Sequence, residues 1–581
     1  MDNNWKLSDI PYVKPDFDAI QHKLDELTER MKSAQNYGDV KKVLEERNAL
    51  NDELSVADTL IYARAFHDVT DEFYQTELQT TVPKIQMLKT EDLSRAIAES
   101  PFADDIDAEY GPHFRELLTL QIRLDETGKE KRARIGELEA LYQQKKASMK
   151  FDLRGEKVSE GKIFEALTST DRALRKEAYE ASLRAYCAQK DEYEPILREL
   201  VETRDALAKE NGFENYIGYA NLSQLRIGYG DKELSRFVDD VRRYITPLYV
   251  RLLEEQRVRL GVDRLMPYDA TLVFPDGNAK PVCGDDALEN AARIMYHGLS
   301  SGAGEFFDKM ARHGMLDIAS SDKKIAGMGF CEIVPGEWKM PFVFANRNGT
   351  ADDVMVYTHE LGHALQGYLA MHTQTLGDYC CGGPDLCEIH SETMEMLSYP
   401  YAHLFFGNDS DRFIRQHHYG IVKKICAYCH RYAFERYLYT HVDATTEEWA
   451  AEYDRIGKTF GRSLNNEQWM DSILQGGALF EDMAVNTSPL YVVSYALSQI
   501  CALELKAAYD NDPVDGWQRY HKLCCLGGSK SYRDTLAEAG LELPFADGAV
   551  ERAAQMLLGS NDYSGNQTLY GSVSMRGISI I

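Results

Sequence analysis

The chain has 581 residues and a formal net charge of −28; 44% of its residues are apolar, and aromatics make up 10% of the chain. That apolar fraction builds a sizeable core and excludes a wholly disordered chain, while the negative charge repels phosphate and argues against a nucleic-acid partner. No run of 18 apolar residues suggests a membrane span, and the opening Met1-Asp2-Asn3-Asn4-Trp5-Lys6 starts no apolar leader, so a cytoplasmic protein without a membrane partner is expected.

The first 200 residues read as helices. Ile20, Leu24, Leu27 and Met31 form one apolar stripe after Pro15-Asp16, Gly38 breaks the pattern, and a second amphipathic stretch starts near Asp39. A short β-like piece follows at Met149 to Gly155, and helix resumes through Ile196, Leu200 and Leu207 to a stop at Asn211-Gly212. Residues 263–284 are rich in turn signals. From Ile325 the period changes. Ile325, Gly327, Gly329, Cys331 and Ile333 alternate with Ala326, Met328, Phe330 and Glu332, predicting a strand with glycines on one side. Pro335-Gly336 turns it, and Pro341 to Ala345 reads as a second strand. Glycine at 327 and 329 suggests a backbone that something approaches closely. After Thr350 helices dominate again.

Eleven cysteines, an odd number, argue against a disulfide framework. Cys426-Ala427-Tyr428-Cys429-His430 has the spacing of c-type haem attachment, but it lies in a stretch that reads as a buried helix, so core cysteines are expected. Cys380, Cys381 and Cys387 lack the second pair that a four-ligand zinc knuckle needs.

The chemical signal is His359-Glu360-Leu361-Gly362-His363. On a helix, His at i and i+4 stand one turn apart on one face and can share a metal, with the intervening Glu as a general base. A chain of this composition holds about 0.03 such matches by chance. The helix is credible: Thr350 and Asp353 resemble a capping box, and only two glycines interrupt Val354 to Met371. Two imidazoles leave a zinc site wanting a third ligand. Pro384 to Glu395 predicts a second helix, with Glu388, Glu392 and Glu395 at i, i+4, i+7 on one face. Spacing does not say which of them would bind metal.

The runs Pro341 to Thr350, Thr358 to Ala364 and Glu388-Ile389-His390-Ser391…Met394-Glu395 closely resemble the oligoendopeptidase F and Pz-peptidase branch of the thimet oligopeptidase family. The likeness extends to Ser488-Pro489-Leu490-Tyr491…Tyr495-Ala496 and Gly540 to Phe545. It implies a mainly α fold, a two-lobed helical clamshell around a deep channel with a small β-sheet beside the HExxH helix. It implies one zinc ion per chain held by His359, His363 and Glu388, with Glu360 as general base and Glu395 orienting a ligand histidine. Tyr491 and Tyr495 would bind the transition state, and the strand carrying Gly327 and Gly329 would pair with the peptide. The expected function is zinc-dependent endo-oligopeptidase action on short unstructured peptides, with no obligate protein partner. A carboxypeptidase or dipeptidase on the same scaffold, or a weakened peptide-binding relative, are the alternatives. One departure stands out: the family histidine before the tyrosines is missing, and the neighbourhood reads Met483-Ala484-Val485-Asn486. The expected organisation is an N-terminal helical region, 1–195, and a catalytic region, 196–575.

Overall fold

The computed structural model describes residues 5–125, 127–282, 284–325, 327–462 and 465–559. Met1–Asn4, Ala326 and positions 560–575 of the expected catalytic region therefore lie outside the described residues. The protein is mainly α, 71% helical, with small sheets and, among the described residues, no closed barrel. Among the described residues no helix is long and apolar enough to cross a membrane.

Helix α1 (Phe17–Lys32) is capped by Asp16, whose carboxylate accepts from the Ala19 N–H at 3.1 Å. Its stripe of Leu24, Leu27 and Met31 is buried against Val40, Val43 and Leu44 of α2 (Tyr37–His67). The break between the two falls before Tyr37, capped by Asn36, so Gly38 sits inside the first turn of α2 rather than ending a pattern. The same core includes Leu376 and Tyr379, far along the chain, and Arg47 of α2 makes a two-pronged ion pair with Asp378 at 2.8 and 2.9 Å. The N-terminal helices thus clamp the loop that follows the HExxH helix.

The β-like piece is a hairpin, β1 (Phe151–Leu153) against β2 (Glu156–Val158), turning at Arg154-Gly155. A second sheet has the order β3 (Leu316–Asp317), β5 (Met340–Ala345), β4 (Gly329–Val334). The expected strand starts later than its alternation suggests. Gly327 has φ +72°, a left-handed conformation that ends extension, and the N–H of Ile325 donates to Phe66 O of α2 instead of a ladder. Cys426 and Cys429 are buried in the core, and His430 Nε2 donates to Tyr453 O at 2.8 Å, so the haem-like spacing is a packing feature.

Candidate active site

The HExxH helix spans Ala351–Thr373. Its start differs from the expected box: Thr350 does not cap it, and Asp353 accepts from the N–H groups of Asn348 and Gly349 at 2.9 and 2.7 Å. Asp352 and Asp353 also place negative charge at the positive end of the helix dipole. The second helix, Pro384–Leu397, opens on its proline as expected, and all its residues but Pro384 and Cys387 are buried. The two helices cross at Gly362, where a Cβ would lie 2.7 Å from His390 O and from Ser391 Cα.

Burying three glutamates obliges each to find a partner, and the structure sends them three ways. Glu388 Oε2 stands 3.3 Å from His359 Nε2 and 3.5 Å from His363 Nε2. Glu395 Oε1 stands 2.6 Å from Nδ1 of His359, on the far side of that ring. Glu392 turns away to Lys424, 2.8 Å from its ammonium. The three share one helix face, as their spacing predicts, and tertiary packing gives each a different neighbour.

Ligand atoms of His359, His363 and Glu388 all lie within 4.8 Å of one another, the one such set among the described residues. Bonds of ~2.0–2.1 Å at tetrahedral angles put ligand atoms about 3.3–3.4 Å apart, close to the two spacings seen here. The donor set suits zinc. Burial alone would raise the Glu388 carboxyl, but the two imidazoles override it and hold it well below the carboxylate range. Ser391 Oγ donates to Glu388 Oε2 at 3.0 Å, and the Tyr491 hydroxyl reaches Oε1 at 3.4 Å.

Glu360 is 8% exposed and makes no hydrogen bond or ion pair among the described residues. Burial raises its pKa, against the pull of His363 and His359. Beside it runs β4. A Cβ on Gly329 would strike Val356 and come within 3.7 Å of Glu360 Cγ, so the close approach read from the sequence is that of the HExxH helix itself. β4 is the edge of its sheet. Asn346 N donates to Met328 O, so by the alternation of antiparallel ladders Gly329, Cys331 and Ile333 turn their backbone groups outward. Thr59 of α2 covers the Ile333 carbonyl at 2.8 Å. Gly327 lies ahead of this edge.

Tyr495 stands in the first turn of the helix Val493–Asn511, and Tyr491 precedes that helix rather than lying on it. Their rings meet edge-on, 5.8 Å apart. Leu490 holds the turn at φ +61°. Buried Asp385, three residues before Glu388, ties the tyrosine segment to the second helix: it accepts from Arg226 at 3.0 and 3.1 Å and from Ser494 Oγ at 2.5 Å, while Arg226 also donates to Leu490 O.

Sequence reasoning missed the helix Ser410–Thr440 as a contributor. It brings His417 to Glu395, Lys424 to Glu392, and Tyr428 against Tyr495 with ring centroids 5.5 Å apart. The spacing i, i+7, i+11 puts all three on one face, the signal that was available. His418 and His390 are buried beside the site; neither joins the ligand set. A cavity of about 1300 Å³ is lined by Asn348 to Asp352, Met355, His417 and Lys424, and by Leu153 and Val158 of the β1–β2 hairpin; none of His359, Glu360, His363, Glu388, Tyr491 and Tyr495 lines it.

The peptidase family M3 model matches residues 166–277 and 303–555, and that of the peptidase M3 N-terminal domain matches residues 7–124. Group B oligopeptidase PepB of Streptococcus agalactiae serotype III (strain NEM316) is 23% identical over 275 residues, 46% of this chain. The match spans 43% of that relative, under half its length. Pz peptidase A, solved with an inhibitor, has a TM-score of 0.88 at 27% identity, covering 96% of this chain and 100% of that one. A chain assigned as oligoendopeptidase F from Bacillus anthracis str. Ames has a TM-score of 0.83 at 28% identity, covering 95% and 97%. Both likenesses run along nearly the whole chain.

Proposed function

Because the chain belongs to peptidase family M3, we propose that it is a zinc-dependent endo-oligopeptidase that cuts internal bonds of short unstructured peptides. The observation carrying this reading is the convergence of His359 Nε2, His363 Nε2 and one Glu388 oxygen at the spacing of tetrahedral ligands. Zinc held there would act as a Lewis acid on the scissile carbonyl and acidify a water molecule.

Glu360, without a hydrogen bond among the described residues and with its proton affinity raised by burial, takes the proton of the attacking water and passes it to the leaving amine. Burial raises the Tyr491 and Tyr495 hydroxyls far above neutrality, so both keep a proton to donate to the developing oxyanion. The extended peptide adds as a strand along the outward backbone groups of Gly329 and Cys331, entering past Gly327.

The test is metal analysis of the purified chain beside hydrolysis of a quenched fluorescent ten-residue peptide, with and without chelator. About one zinc per chain and chelator-sensitive internal cleavage are expected. Products released only from one end would instead fit a carboxypeptidase or dipeptidase. Peptide binding without cleavage would fit a weakened relative.

A further inference from the structure

Both oxygens of Glu395 are occupied. Oε1 lies 2.6 Å from His359 Nδ1, and Oε2 lies 2.7 Å from His417 Nε2. The Tyr399 hydroxyl in turn lies 2.6 Å from His417 Nδ1. An ionised carboxylate only accepts, so each ring presents an N–H to it. A neutral His417 then has a bare Nδ1, which accepts from the Tyr399 hydroxyl. Donation therefore runs from Tyr399 to His417 to Glu395, met from the other side by His359, whose Nε2 is left with a lone pair facing Glu388.

His417 is held for this task. It is 3% exposed, lies parallel to the Phe413 ring at 5.9 Å, and meets Tyr399 edge-on at 5.6 Å. Its partners come from separate elements: His359 from the HExxH helix, Glu395 from the second helix, Tyr399 from the turn just after it. Glu395 has a competing attraction. The Lys424 ammonium, already on Glu392, also pulls on it. Without the His417 donor, the buried Oε2 would lose its hydrogen bond and the carboxylate would be drawn toward Lys424, away from His359.

We propose that His417 and Tyr399 are positioning residues for the metal: they keep Glu395 aimed at His359, and so keep His359 Nε2 aimed at the ion. This rests on the zinc reading above. A histidine serving only as packing would sit on Phe413 equally well, with no need for both ring nitrogens to be engaged in a line that ends at a ligand.

Zinc affinity of the full chain, measured by competition with a chromophoric chelator, tests this in the wild type, His417→Ala, His417→Gln and Tyr399→Phe, with thermal unfolding of each metal-free chain in parallel. Loss of an outer partner typically weakens metal binding by about 10–100-fold, and about tenfold is expected for His417→Ala. His417→Gln, whose amide N–H can reach Glu395, should recover most of it, and Tyr399→Phe should show a smaller loss of the same kind. Wild-type affinity in all three variants would overturn the proposal, as would equal weakening by Ala and Gln that tracks only lost stability. A wild-type chain that takes up no zinc would overturn the metal reading itself, an outcome distinct from the other two.

Discussion

Gly362 and His390 touch through backbone: a side chain on Gly362 would begin 2.7 Å from the His390 carbonyl oxygen. This contact sets how closely the helix of His359 and His363 approaches the helix of Glu388, and a backbone obstacle cannot swing aside as a flexible side chain can. Gly362→Ala should destabilise the fold by roughly 1–3 kcal/mol through overpacking and should weaken zinc binding by spreading the two helices. Thermal unfolding and a zinc titration check both effects; an unchanged titration would detach the crossing from the metal set.

Glu388→Ala should strip the metal, whereas Glu392→Ala should leave it in place. Glu392 is fully buried on Lys424, so its loss should appear as instability. About 1–3 kcal/mol is expected, less than the ~3–5 of a fully buried pair, because the Lys424 side chain is 26% exposed toward the cavity. Metal content and unfolding of the two variants decide it. The opposite pattern would move the third ligand to Glu392.

Glu360→Gln should retain zinc and lose at least ~10²-fold in turnover, since the amide cannot take the water's proton. Its carboxylate makes no hydrogen bond or ion pair among the described residues, so thermal stability should hardly change. Rapid turnover by the zinc-loaded variant would remove Glu360 from that role.

Tyr495→Phe keeps the ring against Tyr428 and Tyr491 and removes only the hydroxyl. One lost oxyanion donor costs ~3–4 kcal/mol in hydrolases, about 10²–10³-fold in kcat, with KM little altered. Steady-state kinetics on a fluorescent peptide read this directly. An unaltered kcat would return Tyr495 to packing.

Burial, with Asp58 and Glu360 close by, pushes the Glu332 carboxyl on β4 up to about 7. A folded-state pKa above the unfolded value means that the folded chain holds this proton more tightly. Stability from that proton is full below the unfolded carboxylate range and is lost as pH rises through about 7. Glu332→Gln, which never ionises, should therefore gain stability relative to wild type between about pH 4.5 and 7, with a constant difference above. Unfolding temperatures across that range test it; a flat difference would mean that Glu332 ionises normally.

The sequence by itself determined the helical class, the HExxH helix, the two strands beside it and the second helix, because each rests on local periodicity and local end signals. The start of β4 was misplaced because alternation persists through Gly327 while its backbone does not stay extended. The set His359, His363 and Glu388 was nameable through resemblance, since i, i+4 spacing on one helix is local but the third carboxylate comes from another helix. The resemblance implied different roles for Glu388 and Glu395, but only the tertiary structure shows that Glu392 turns to Lys424 and that Glu395 also meets His417. One helical turn separates neighbours along that face, yet each meets a different surface: the two imidazoles, Lys424, and the His359–His417 pair. His417 and Tyr399 were illegible for the same reason. The spacing of His417, Lys424 and Tyr428 marks a shared helix face but not what it meets, which for His417 stands 18 and 22 residues away in sequence, and a buried polar group reveals its role only when packing shows what satisfies it.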